Sequence, residues 1–326
     1  MAATNSEVWQ QGEIVAISDV AEGIKEFVIR QSMPVKAAAG SHIDLMIAID
    51  GEPTRRSYSV VTQSEDLALL TIAVFQVRNS RGGSIAMHGL KIGDRLDITQ
   101  PLQNFPLRFG ARHYVLLAGG IGVTAIVEMA RQLKNYGANY EFFYVARSKR
   151  AMAFATELAA EHGDRLQVFI DDEGNSLDVA EVMSRITKDT ELYMCGPIRL
   201  MDAVRRSWAN SDLDITNLRY ETFGASGWFD PEVFSVTVPE KGVTVEVGKN
   251  QTIVEALESA GLEVMSDCRR GECGLCEARI SEYSGTIDHR DVFYSAEQKA
   301  EGEKIACCVS RLVGSGGQAS ISITLT

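Results

Sequence analysis

No stretch of this chain stays apolar for the roughly 18–20 residues that a membrane-spanning helix requires. The nearest approach, Tyr114 to Val127, is short and is broken by Gly119, Gly120 and Gly122. No membrane segment is therefore expected. The N-terminal run MAATNSEVWQQGE has no basic region followed by an apolar stretch, so no secretory signal is expected either, and the expected compartment is the cytoplasm. Positive charge is in deficit: 32 Lys and Arg stand against 44 Asp and Glu, a net of −12. That balance argues against a nucleic-acid partner. Histidine is scarce as well. None of His42, His88, His113, His162 and His289 sits in a Cys-x-His pair. Internal repeats and low-complexity tracts are missing, which excludes a solenoid or a disordered linker protein.

What is present is a globular composition. A hydrophobic content of 45% over 326 residues is enough for two or three cores. The acidity is uneven. From Ala225 onward, 16 Asp and Glu face 9 Lys and Arg, so more than half of the excess negative charge lies on the last third. Ordinary solubility accounts for such a surface. A docking face for a basic redox partner is the sharper alternative, because complementary charge speeds encounter.

That same third carries most of the chemistry. Cys268, Cys273 and Cys276 lie in the run Asp-Cys-Arg-Arg-Gly-Glu-Cys-Gly-Leu-Cys, and Cys307 and Cys308 follow 31 and 32 positions after Cys276. C-x4-C-x2-C with a distant further cysteine is the plant-type ferredoxin spacing for a 2Fe–2S cluster. Each iron takes two thiolates. A tight loop containing Gly271 and Gly274 can supply three, and a distant segment brings the fourth. Zinc sites more often pair two C-x2-C units. Adjacent cysteines make a poor disulfide framework. Four thiolate ligands among six cysteines also fit a reducing compartment. Spacing alone leaves Cys307 and Cys308 both open as the fourth ligand.

The first ~110 residues read as β. Short alternating runs (Glu13 to Ser18, Glu26 to Arg30, His42 to Ile47, Leu69 to Val74) are separated by Gly, Asp and Pro turns, as in an antiparallel barrel. The middle third changes period. Apolar strands at Tyr114–Ala118, Tyr140–Val145, Leu166–Ile170 and Glu191–Cys195 alternate with helices near 123–135, 151–161 and 198–209. That is a doubly wound parallel α/β pattern. Gly224 to Pro231 reads as a linker. A hairpin around Glu240-Lys241-Gly242, a helix from Thr252 to Ala260, the cysteine loop and short strands complete the chain. The expected domains are 1–111, 112–224 and 225–326.

Two motifs stand out in the first two thirds. In Arg56-Ser57-Tyr58-Ser59, Tyr58 can stack on a flavin ring and Arg56 can make charge-assisted bonds to its phosphate. Gly82, Gly83 and Ser84 open a short helix near Ile85–Gly89 and can offer N–H groups to an anion. In isolation a surface arginine beside a core tyrosine is the better account of the first motif; its position ahead of an α/β domain changes that weighting. In the second, Gly119, Gly120 and Gly122 follow a strand and open a helix, so the backbone can approach a pyrophosphate. The loop is not G-x-G-x-x-G, and no acidic ribose ligand stands at the usual distance. Cys195-Gly196-Pro197 ends a later strand of the same sheet, where ligands sit in open α/β folds. Taken alone, Cys195 reads as a buried structural thiol.

In this order the motifs resemble the phthalate dioxygenase reductase family, single-chain reductases of Rieske-type oxygenases that include vanillate O-demethylase systems. The markers are Arg56-Ser-Tyr-Ser59, Gly82-Gly-Ser84, Asn104-Phe-Pro-Leu107, Ala118 to Thr124, Cys195-Gly-Pro197, Glu221-Thr-Phe223 and the C-terminal cysteine set. The resemblance spans nearly the whole chain. It implies FMN in the N-terminal barrel, NADH on the α/β domain and a 2Fe–2S cluster in a C-terminal β-grasp ferredoxin domain. Arg56, Ser57, Tyr58, Ser59, Gly82, Gly83 and Ser84 would then be flavin ligands, and Ile72, Ala73 and Val74 the strand lining the ring. Phe223 would cover the flavin. Gly119, Gly120, Gly122 and Thr124 would hold the dinucleotide, and Ala146, Arg147 and Ser148 would meet its adenosine. Cys195, with Gly196 and Pro197, would stand near the nicotinamide and flavin N5; Cys195, Tyr58 and Phe223 are the candidates closest to the chemistry. In this family the fourth cluster ligand precedes x-Ser-Arg, which selects Cys308 through Ser310-Arg311.

The implied activity is hydride transfer from NADH to flavin, then single electrons through the cluster to a separate Rieske oxygenase. A Rieske centre needs two histidine ligands, which this chain does not offer. A monomer is expected. The flavin site shows a phosphate cradle but no adenine platform, which favours FMN. Arg147, Lys149 and Arg150 could hold a 2′-phosphate, so NADH rests on the resemblance. The alternatives are a reductase for a non-Rieske hydroxylase, or a non-catalytic electron carrier or redox sensor, against which the intact dinucleotide loop argues.

Overall fold

The computed structural model describes residues 7–49, 51–77, 82–223, 227–314 and 316–325. The described residues divide into two compact units, one ending at Glu221 and the other beginning at Thr222. Gly224, Ala225 and Ser226 of the expected linker lie outside the described residues.

The first unit begins with β1 (Trp9–Ala21), β2 (Ile24–Gln31), β3 (Ser41–Ile49), β4 (Glu52–Gln63) and β5 (Leu69–Phe75). A short helix α1 (Gly83–Gly89) follows, then β6 (Arg95–Thr99) and β7 (Leu102–Gln103). The antiparallel order β4-β5-β2-β1-β6-β3 closes through a β3–β4 pairing, with β7 added on β3. Closure leaves no free edge among the six strands. Alternation buries one face of each strand: Ile14, Phe27, Ile29, Ile43, Leu45, Ile72 and Ile98 are fully buried in the barrel core.

The chain then runs β8 (His113–Gly119), α2 (Val123–Asn135), β9 (Tyr140–Ala146), α3 (Ala155–His162), β10 (Leu166–Ile170), α4 (Val179–Ser184), β11 (Thr190–Cys195), α5 (Ile198–Ala209) and β12 (Leu218–Glu221). The sheet order is β10-β9-β8-β11-β12, with every pairing parallel. The order reverses at β8, the switch point where open α/β sheets bind ligands. Covered on both faces, β8 reads as an unbroken apolar run, and all its residues but His113 are buried. The barrel and this sheet share one core. Ile24, Ala39, Val61, Ala73 and Phe105 pack with Leu116, Val123, Ile126, Met129 and Tyr193. The carbonyl of Val61 accepts from Arg131 at 3.3 Å, and Phe105 lies 5.8 Å from the Tyr193 ring. Strand β5 touches the turn at Gly120–Gly122.

The second unit contains β13 (Phe234–Val238), β14 (Val243–Val247), α6 (Ile253–Ser259), β15 (Glu277–Ser284), β16 (Thr286–Asp288), α7 (Ala296–Glu301), β17 (Lys304–Ala306), β18 (Arg311–Val313) and β19 (Ala319–Leu325). Its main sheet runs β14-β13-β19-β15-β17, with β13 and β19 parallel and the other neighbours antiparallel. A helix packed on a mixed sheet of this kind is a β-grasp arrangement. Both helices start with reciprocal caps. Thr252 accepts from the Glu255 N–H at 3.1 Å while Glu255 accepts from the Thr252 N–H at 2.7 Å, and Ser295 and Gln298 repeat the pattern. Among the described residues no helix is long and apolar enough to cross a membrane.

Candidate functional site

The Arg-Ser-Tyr-Ser motif lies on β4, and its alternation splits the four side chains. Arg55 and Ser57 turn toward the buried Asp44, whose carboxylate takes both the Arg55 guanidinium and the Ser57 hydroxyl. Arg56 and Tyr58 point the other way. The Arg56 stem lies against Gly83, where an added Cβ would come within 2.7 Å of its Nε. That bare backbone lets the guanidinium and the start of α1 share one place. Gly82 has φ 83, a left-handed conformation that a side chain resists, and a Cβ there would strike Ile49 at 2.3 Å. The Ser84 hydroxyl accepts the Val77 N–H at 3.1 Å. Tyr58 packs against the barrel core, and burial pushes its phenol up to about 12, with Arg56 opposing. The ring is therefore neutral at physiological pH. Ser59 is buried and donates to Glu221 at 3.3 Å. Ile72, Ala73 and Val74 are buried on β5, and the Val74 carbonyl is bonded to His88 Nε2 at 2.8 Å.

At the switch point the ends of β8 and β11 meet. A Cβ on Gly119 would lie 2.6 Å from Pro197 and 3.2 Å from the Gly196 Cα; one on Gly122 would lie 2.2 Å from the Cys195 carbonyl oxygen. Two of the loop's glycines are thus required by close backbone approach. Gly120 is required by its φ of 54 instead. Thr124 is buried, and its hydroxyl donates to the Ile121 carbonyl at 2.9 Å, tying the turn to the start of α2. Cys195 is buried at the tip of β11, in register with Ala118 and Glu221. At the end of β9, the Arg147 carbonyl accepts from the Asp172 N–H at 2.9 Å, and its guanidinium stands 3.9 Å from the Asp172 carboxylate. Ala146 is buried beside it and Ser148 opens the next turn.

In the second unit, Gly271 and Gly274 have φ of 77 and 78, so the loop carrying Cys268, Cys273 and Cys276 curls in the left-handed region at both points. The side chains that fill those curls are Val309 and Phe293: a Cβ on Gly271 would lie 2.7 Å from Val309, and one on Gly274 2.3 Å from the Phe293 ring. Cys268 Sγ accepts backbone N–H groups of Arg270 and Cys273, each at 3.4 Å. The neighbouring Cys308 thiol holds Cys268 down to about 4 and lowers Cys276. Cys273 lies beside Cys268, and burial raises its thiol pKa. Four thiols are therefore neighbours, with Cys273 the exposed member. Cys307 differs. It is fully buried in the apolar core, and burial raises its pKa. Among the described residues no three His, Cys, Asp or Glu converge on one point as ligands of a single ion would. Two bridged irons do not need that. Each takes two thiolates, and a four-thiol set receiving N–H donors matches the donor chemistry of a 2Fe–2S cluster.

Three acids escaped the reading from sequence. Glu221 is buried and receives Ser59. Glu272, raised chiefly by burial, accepts the Thr222 N–H at 2.6 Å and its hydroxyl at 2.8 Å, while that hydroxyl also donates to the Arg270 carbonyl at 2.7 Å. Phe223, next to Thr222, keeps 37% of its surface exposed. The third acid is Asp291, fully buried. Only an acid's position inside a motif, as for Glu221 and Glu272, could have signalled such roles.

Comparison with known proteins agrees with this layout. Residues 11–106 match the oxidoreductase FAD-binding domain, residues 100–218 the N-terminal domain of dimethylamine monooxygenase subunit DmmA-like proteins, and residues 236–312 the 2Fe-2S iron-sulfur cluster binding domain. A barrel of the flavin-binding type, a parallel α/β sheet and a 2Fe–2S domain in one chain define a flavo-iron–sulfur oxidoreductase of the oxygenase-reductase class. The chain belongs to the phthalate dioxygenase reductase family. It is 31% identical over 315 residues to the phthalate 4,5-dioxygenase reductase subunit of Pseudomonas putida, covering 92% of this chain and 93% of that one. It is 36% identical over 311 residues to tetrachlorobenzoquinone reductase of Sphingobium chlorophenolicum, covering 91% and 93%. The solved structure of phthalate dioxygenase reductase superposes with a TM-score of 0.75 at 30% identity, covering 97% and 98%.

Proposed function

We propose that this protein is the NADH-dependent reductase component of a two-component Rieske-type oxygenase, with FMN in domain 1–111, NADH on domain 112–224 and a 2Fe–2S cluster in domain 225–326. The observation that supports the reading is the contact of β5 with the Gly120–Gly122 turn in one packed unit: a flavin on that strand and a dinucleotide on that loop would adjoin. When bound, the flavin accepts a hydride and the cluster carries single electrons onward.

The chain's own residues supply placement. Arg56 and the backbone of Gly82 and Gly83 hold the flavin phosphate; Tyr58, Ser59 and the β5 backbone seat the ring. Ser57 spends its hydroxyl on Asp44, so its contribution is through the backbone. Gly119, Gly120, Gly122 and Thr124 seat the pyrophosphate, Ala146, Arg147 and Ser148 the adenosine. Cys195, with Gly196 and Pro197, bounds the nicotinamide pocket. Cys268, Cys273, Cys276 and Cys308 ligate iron. No protein acid or base is required by a hydride transfer. Acid-released flavin identified by mass spectrometry tests the FMN assignment; recovery of FAD alone overturns it. Iron analysis is expected to give about two irons per chain.

The identity with a quinone reductase supports a second reading, in which the acceptor is not a Rieske oxygenase. Reconstitution with purified Rieske oxygenases against quinone acceptors separates the two. A test for NADH-driven cytochrome c reduction separates both from a non-catalytic carrier, which would show none.

A further inference from the structure

Asp291 exposes none of its surface, and its segment touches both chain stretches that carry the cysteine site. Its Oδ1 accepts from the Ser310 hydroxyl at 3.3 Å, and Ser310 sits two residues after Cys308. Its Oδ2 accepts the Tyr294 N–H at 3.0 Å. Lys299 Nζ, on a side chain only 15% exposed, stands 3.7 Å from Oδ2 and also donates to the Asp291 carbonyl. His289 Nδ1 lies 3.5 Å from Oδ1. On its other side the same segment supports the cysteine loop. The Val292 N–H donates to the Gly271 carbonyl at 3.0 Å, and a Cβ on Gly271 would fall 2.9 Å from the Asp291 Cα. Gly271 lies between Cys268 and Cys273.

We propose that Asp291 and Lys299 form a buried ion pair that sets the midpoint potential of the cluster, while Asp291 also keeps Cys308 in register with the three-thiol loop through Ser310. The proposal rests on reading the four cysteines as 2Fe–2S ligands. Charges buried this deeply are poorly screened by water or salt. A carboxylate against the loop opposes the arrival of an electron on the cluster; the ammonium favours it. Cluster potentials respond to such local charge and to hydrogen bonds.

The test is an EPR-monitored redox titration of the full-length holoprotein at fixed pH, with iron content measured on the same samples. Asp291→Asn keeps the shape and removes the charge, so the cluster midpoint should rise. Lys299→Met should lower it. The flavin midpoint, in the other unit, should stay in place for both. Ser310→Ala leaves both charges and should keep the potential while shortening iron retention. Wild-type potentials in both charge variants at full iron overturn the proposal, as do shifts of the same sign. If Asp291→Asn fails to assemble a cluster, Lys299→Met decides the matter alone. A wild-type protein without a 2Fe–2S EPR signal on reduction would defeat the ligand reading instead, which is a separate result.

Discussion

Cys307 and Cys308 are neighbours in sequence and opposites in surroundings. Cys308 neighbours the loop thiols and lowers the pKa of Cys268 and Cys276; Cys307 is sealed in the core behind Cys276, to whose carbonyl it gives its N–H at 3.0 Å. Cys308→Ser is expected to abolish the cluster's absorbance, and Cys307→Ser to spare most of it. Equal loss in both variants would defeat the assignment, and flavin content should hold in either. Arg56 and Arg55 make a similar pair. Arg55 is engaged by Asp44 and Glu7, at 2.6 Å for the latter, whereas Arg56 lies over Gly83. Losing a hydrogen bond to a charged group costs about 1.5–3 kcal/mol, or roughly tenfold to a hundredfold in affinity. Arg56→Ala should weaken FMN binding by that factor and leave the iron–sulfur spectrum intact. NADH-to-cytochrome c activity should fall and recover with added FMN. Arg55→Ala should affect FMN less. Unchanged FMN affinity in Arg56→Ala would remove the phosphate-anchor role.

At the scale of elements, the junction of β8, α2 and β11 is held by close backbone approach. A methyl at Gly122 has only 2.2 Å to the Cys195 carbonyl oxygen, and backbone cannot yield as a flexible side chain can. Overpacking of this kind costs about 1–3 kcal/mol. Gly122→Ala should therefore displace the turn and raise the Kd for NADH, with flavin still bound; a fluorescence titration with NADH giving the wild-type Kd would contradict it. In the second unit, the Thr252–Glu255 capping box secures α6, whose Ile253, Val254, Ala256 and Leu257 are buried. Thr252→Ala should destabilise that unit by about 1 kcal/mol, read as a lower melting temperature for the cluster's absorbance. Flavin release should keep its midpoint.

For the whole molecule, the expected nucleotide preference rests on the family resemblance, and the charges around β9 bear on it. Of the three cations that could attract a 2′-phosphate, Arg147 has Asp172 at 3.9 Å and Arg150 has Glu22 at 3.8 Å. NADH should have the higher specificity constant, and a tenfold preference for NADPH would refute this. Much of the layout was legible beforehand, because each part has its own period or spacing. Helix α2 runs over the expected 123–135 and α5 over 198–209, since the apolar stripe of a helix packed on a sheet repeats at a fixed interval. The helix expected at 151–161 begins at Ala155 instead. Residues 149–151 form a single tight turn, and Phe154 enters the helix from a left-handed conformation at φ 61, which no periodicity announces.

The sequence by itself determined the order of the parts and their chemistry: alternating strands, then an α/β pattern, then C-x4-C-x2-C with its distant partner. These are local or nearly local signals, carried by side-chain period and by cysteine spacing. Which groups meet was decided only by the tertiary structure. The approach of Gly122 to Cys195, the receipt of Ser59 by Glu221 and the seat of Asp291 between Gly271 and Ser310 join residues 73, 162 and about 20 positions apart in the chain. Nothing in a one-dimensional pattern marks such pairs. Their energies come from burial, where an acid or a glycine is kept because of what the folded chain packs against it.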